Sequence, residues 1–288
     1  MGVIFMDPGL MPGARGMGAT PLTGIVPTWT ETSCAACSSP PAPGCAVGLL
    51  FGTGVIGQRV AESAGGALSD EATLLAPDGP AFSIWSLIYA GLIAYVVWQW
   101  LPRNASSERE RSIGWLAGAS MILNSSWLLV TQADLIWLSV VVILALALVL
   151  GLLVRNLHRN PDDSWPARIV VDGTHGLHLG WVTAASCANI AAAGAASGWE
   201  PEGSLAAVLA VIVIAVAAAL HGLYQWAFGP RVAIAGAMAW AFTWIAIGRT
   251  AGDPQSVPVA VAAAVAAVLV LLSLVAFLVR RRRTAAID

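Results

Sequence analysis

Apolar and polar positions in this chain fall into long blocks and show no short period. Eight stretches are almost wholly apolar: 44–60, 81–101, 113–132, 135–154, 174–196, 204–226, 232–248 and 257–279. Each approaches the roughly 20 residues that carry an α-helix across a bilayer. Lipid offers no water to unpaired backbone N–H and C=O groups, so continuous segments of this kind must be helical. The pattern therefore predicts an all-α integral membrane protein. The first stretch, short and glycine-rich, is the weakest of the eight.

The loops between these stretches alternate in charge. Arg103, Arg109 and Arg111 follow the second span, Arg155, Arg159 and Arg168 the fourth, Arg231 the sixth, and four arginines at 280–283 the eighth. The other loops hold Glu62, Asp70, Glu71 and Asp78, then Asp134, then Glu200 and Glu202. Eleven arginines thus fall on one side, and two, Arg59 and Arg249, on the other. Short cytoplasmic loops collect arginine, so the expected topology has eight spans in the cell membrane with both termini cytoplasmic.

Outside the spans, residues 1–43 carry seven prolines with much Gly, Ser and Thr and no apolar period. Such a segment buries too little apolar surface to offset its ordering entropy, which predicts a disordered tail. Residues 281–288 form a basic C-terminal tail, suited to anchoring at lipid headgroups. Cys34 and Cys37 form a C-x-x-C with Cys45 nearby, but no histidine accompanies them. A zinc site needs four ligands, so free thiols are expected.

Composition sharpens the class. Of 288 residues, 58% are hydrophobic and only 10% charged, against about 25% charged in soluble domains. Mean hydropathy is +0.77. A net charge of −2 leaves no footprint for nucleic acid. From residue 81 onward no span contains Asp, Glu or Arg, whereas a central charge, costing about 2.5–3.5 kcal/mol on insertion scales, marks most ion and proton paths. Ion-coupled transport is therefore disfavoured. No acid/base set suggests catalysis, and no metal site is expected.

What remains inside the spans is aromatic and neutral polar. Among thirteen tryptophans, Trp100, Trp115, Trp137, Trp165, Trp199 and Trp226 sit near span ends, where Trp anchors at headgroup level. Trp85, Trp127, Trp181, Trp240 and Trp244 sit deeper. Asn124 and Asn189 either cross-link helices or line a cavity. His175 and His178 share one face at the mouth of the fifth span, where an interfacial role is expected.

The patterns F-S-I-W-S-L-I-Y around Trp85 and Tyr89, L-N-S-S-W with Asn124 and Trp127, and G-W-V-T-A-A-S-C-A-N from Trp181 to Asn189 occur in that order, with Tyr95, Trp98 and Trp137 between them. Order and spacing resemble the translocator protein family of tryptophan-rich sensory proteins (TspO) over residues 45–196. The resemblance implies a TspO-like five-helix membrane domain at 44–196, followed by about three additional C-terminal transmembrane helices, an extension at 197–280. It further implies that Trp85, Tyr89, Asn124, Trp127, Trp181 and Asn189 bind a hydrophobic ligand in one cavity open toward the loop between the first two spans. The class implied is a tetrapyrrole, porphyrin or haem, bound as a ligand with no resident cofactor, in a sensory or stress-adaptation role. Partners are then the lipid bilayer and that small molecule, and a homodimer is compatible. Sterol binding is not implied, because the Tyr and Arg of the family's cholesterol motif are missing after Asn189. The alternative is a transporter of a neutral amphipathic solute, with the last three spans completing the path.

Overall fold

The computed structural model describes residues 66–105 and 107–284, so the tail at 1–43 and the span expected at 44–60 lie outside it. Among the described residues there is no strand, and seven helices are long and apolar enough to cross a membrane. They are α1 (Ile84–Trp100), α2 (Glu108–Gln132), α3 (Ile136–Arg159), α4 (Thr174–Ala196), α5 (Gly203–Phe228), α6 (Val232–Ala251) and α7 (Val257–Thr284). These are the second to eighth expected spans, and the protein is a multi-pass all-α membrane protein.

Local chemistry explains several helix ends. A 3-10 turn, Gly79–Ser83, leads into α1; Asp78 caps it, its carboxylate accepting from the Gly79 N–H at 2.8 Å. The first turn of α2 carries Glu108 and Glu110, where the helix dipole favours negative charge, and α3 closes with His158 and Arg159, where it favours positive. Glycine at 229, with φ of +72°, stops α5 in a conformation that side chains resist.

Helix α4 starts earlier than its apolar pattern suggests. A short helix at Trp165–Ala167 and a π turn at Arg168–Gly173 run straight into it, making one rod from Trp165 to Ala196. Such π turns often mark functional sites. This one presents Asp172 between Arg109 of α2, at 2.7 Å, and Arg231 before α6, fastening three elements at one end of the bundle.

Helix α4 is central, packing on α1, α3 and α6; α2 pairs with α3, while α7 packs on α6 and α5. Two close approaches need glycine. A Cβ on Gly91 of α1 would sit 2.5 Å from Thr174 Oγ1, and one on Gly180 of α4 would sit 2.6 Å from the Ile234 carbonyl of α6. With little hydrophobic drive between helices in lipid, this intimacy of backbones is what holds them. Helices α5–α7 thus belong to the same compact unit as α1–α4.

Candidate functional site

Trp85 of α1, Trp127 of α2 and Trp181 of α4 meet inside the bundle, all nearly fully buried. Trp85 lies 6.1 Å from Trp127 at an interplanar angle of 26°, and 6.1 Å from Trp181 at 84°. Phe82 meets Trp181 edge-on at 6.0 Å. Offset-parallel and edge-to-face pairs at these distances are the favoured aromatic geometries. Together they wall a cavity of about 50 Å³.

The remaining walls come from three sources. Ala184, Ala185, Ala188 and Ala192 of α4 continue the face that carries Trp181 and Asn189, and their small side chains leave the recess. Ala241 and Ile245 of α6 close one side. A segment at 66–78 covers the opening with Leu68, Thr73, Leu75 and Pro77. Apolar walls with a few convergent polar groups characterise small-molecule sites.

Of the six residues singled out in the sequence, Trp85, Trp127, Trp181 and Asn189 line this cavity. Asn189 accepts from the Trp127 indole N–H at 2.8 Å and donates to Ser139 Oγ of α3 at 2.9 Å, linking three helices. Tyr89 and Asn124 lie behind Trp85: the Tyr89 ring stacks on it at 5.5 Å, and Asn124 Nδ2 donates to the Tyr89 hydroxyl at 3.1 Å. They brace the wall and do not face the space.

Several buried polar atoms around the cavity have no hydrogen-bond partner among the described residues: the indole nitrogens of Trp85 and Trp181, Asn124 Oδ1, and both ring nitrogens of His178. Buried polar groups are paired in the great majority of cases, so such a cluster calls for an explanation. His175 and His178 are also fully buried, packed edge-on against Tyr95 and Trp85. The expectation of an interfacial pair is thereby corrected. The helix begins at Trp165, which carries residue 175 well inside the rod instead of leaving it at a mouth.

Arg249, an exception to the loop-charge pattern, holds the cover. It is 2% exposed. Its Nη1 donates to the Thr73 carbonyl at 2.9 Å and its Nη2 to the Asp70 carbonyl at 2.7 Å. Asp78 N donates to the Trp244 carbonyl at 3.3 Å, and Trp240 Nε1 to the Ala81 carbonyl at 3.0 Å, so α6 holds the segment from Asp70 onward and the 3-10 turn that follows it. The charged side chains of the long helices occupy terminal turns, where Arg109, Glu110 and Arg249 are met by partners.

The fold and this interior define a polytopic helical membrane protein with an aromatic-walled cavity. The family model described as TSPO-like protein matches residues 47–276, and the chain belongs to that family. The match continues through α5 and α6 and into α7, beyond the stretch where motif spacing alone carried the resemblance. No curated protein and no solved structure matches the chain.

Proposed function

We propose that this protein binds a flat, hydrophobic ligand of the tetrapyrrole class, porphyrin or haem, in the cavity walled by Trp85, Trp127 and Trp181, and that binding serves a sensory or stress-adaptation role. The observation that carries the reading is the pair of indole N–H donors, Trp85 and Trp181, buried at the cavity with no acceptor among the described residues. A tetrapyrrole carries acceptor groups on its rim and π-faces for stacking, matching both kinds of wall. Each aromatic contact contributes about 0.5–1.5 kcal/mol beyond area burial.

Size sets the mechanism. Ligand pockets commonly span about 300–1,000 Å³, while the covered cavity measures about 50 Å³. Binding therefore proceeds with displacement of the segment at 66–78, whose release breaks the two hydrogen bonds from Arg249. The side chains supply binding and orientation; no acid/base chemistry is assigned to them.

The test is visible absorbance of protein purified with added protoporphyrin. The parent protein should retain a porphyrin band in stoichiometric amount. Ala188→Phe, which fills the recess, should lose the band while keeping its helical circular dichroism. A parent with no retained band refutes the reading, and net porphyrin flux into reconstituted vesicles would favour the transporter instead.

A further inference from the structure

A second recess, sharing no lining residue with the tryptophan cavity, lies where the closing halves of α3 and α5 touch over only a short stretch. Between them runs an outward-facing groove of about 670 Å³. Its length is apolar, with Leu148, Leu152 and Leu223 along it and Gly151 at its floor. A Cβ added at Gly151 would meet nothing within 4 Å, so the groove is open there.

The character changes at one end. Arg155 and Arg159, in the last turns of α3, face the groove mouth. Both are exposed, and neither makes an ion pair with any described residue. Across from them Tyr224 and Phe228 of α5 stack at 5.8 Å, and Trp226 stands 81% exposed beside the same mouth. Beyond the arginines the His158 ring lies beside the turn at Gly229.

An apolar channel that opens within the hydrocarbon and ends in two uncompensated guanidinium groups at a helix terminus matches one kind of molecule. We propose that this groove is a binding site for a single anionic glycerophospholipid: one acyl chain lies between α3 and α5, and the phosphate is held by Arg155 and Arg159. Guanidinium pairs phosphate oxygens through two parallel N–H donors, which an ammonium or a neutral amide does not reproduce. Basic pockets between transmembrane helices are known places for anionic headgroups. A tryptophan at the same depth anchors the interface. The site is independent of the tryptophan cavity, which lies on other faces of the bundle.

The experiment uses the full chain in detergent, titrated with phosphatidylglycerol or phosphatidylcholine and read by native mass spectrometry. One phosphatidylglycerol should remain bound, at least about tenfold tighter than phosphatidylcholine, two charge contacts being involved. The double variant Arg155→Gln/Arg159→Gln should bring the two lipids to near-equal affinity, and Gly151→Leu should weaken both by obstructing the channel. Arg111→Gln, on α2, should behave as the parent. An unchanged preference in the double variant overturns the proposal. So does full displacement of the lipid by millimolar glycerol 3-phosphate, which would make the arginines a plain anion site needing no acyl chain.

Discussion

Trp127 donates its indole N–H to Asn189 Oδ1 at 2.8 Å, joining α2 to α4 across 62 positions of sequence at the wall of the cavity. Asn189 in turn donates to Ser139 of α3. One amide therefore sets the rotamer of a cavity tryptophan and ties three helices.

Replacing Asn189 by Ala leaves the Trp127 N–H buried without an acceptor, which costs about 1–3 kcal/mol. Thermal unfolding in detergent should show the loss as a lowered midpoint. Ser139→Ala should cost less, near the 0.6 kcal/mol or so typical of an interhelical hydrogen bond in a membrane protein. Adding Trp127→Phe to Asn189→Ala should recover part of the stability, since the orphaned donor is removed. Strict additivity of the two substitutions contradicts the coupling.

Arg249→Gln should loosen the segment at 66–78, because the guanidinium bonds two of its carbonyls at once. Losing about 1–2 kcal/mol of local stability raises the open fraction about five- to thirtyfold. Hydrogen exchange at the Asp78 and Gly79 amides should accelerate by that factor, with α3 unchanged. Uniform acceleration through the protein would instead indicate global destabilisation.

Asp172 receives both Arg109 and Arg231 at a half-buried position. Asp172→Asn removes the carboxylate facing Arg231 and the nearer of the two facing Arg109, which keeps Glu110 at 3.7 Å; removal of one partner from a buried pair costs about 3–5 kcal/mol. Partial exposure reduces this to about 2–3 kcal/mol. A chemical-denaturation midpoint equal to the parent's would contradict the fastening role.

The loop charges predict opposite membrane sides for positions 107 and 202. In the structure, Ser107 precedes the α2 turn that reaches Asp172, and Glu202 follows the end of α4 that carries Ala192 of the cavity. An impermeant thiol reagent applied to intact cells should label only Glu202→Cys, with Ser107→Cys labelled after permeabilisation. Labelling of both from outside removes the topology.

Much of this was legible in the chain. Long apolar blocks located all seven described helices, because the bilayer imposes both length and helical form on each. Position within a block separated most of the tryptophans. The six near span ends are exposed and Trp85, Trp127 and Trp181 are buried, but Trp240, also deep in its block, is 38% exposed because α6 turns that face outward. The cover and the α6 wall were not legible, because they depend on contacts such as Arg249 with Thr73, 176 positions apart, that no local period encodes. A charge exception was the available signal: Arg249, one of two arginines on the acidic side, needs a partner there. The four-residue spacing of Gly176 and Gly180, where α6 seats on α4, was a second signal that went unread. His175 and His178 were misplaced for a different reason. Their helix starts nine residues upstream, through a Trp-Pro-Ala turn and a π turn over Arg168–Gly173 whose proline, arginine, aspartate and glycine interrupt the apolar run.

Tryptophan quenching with protoporphyrin in four folded proteins, parent, Trp127→Ala, Trp181→Ala and Trp226→Ala, decides whether the aromatic cavity is the binding site. Trp127 and Trp181 line the cavity, whereas Trp226 lies on the lipid-facing surface. Loss of a stacking wall worth about 1.4 kcal/mol weakens binding about tenfold. Binding should saturate in the parent, weaken about tenfold in Trp127→Ala and Trp181→Ala and stay unchanged in Trp226→Ala. Equal affinities in all four, or no saturation in the parent, would contradict the assignment.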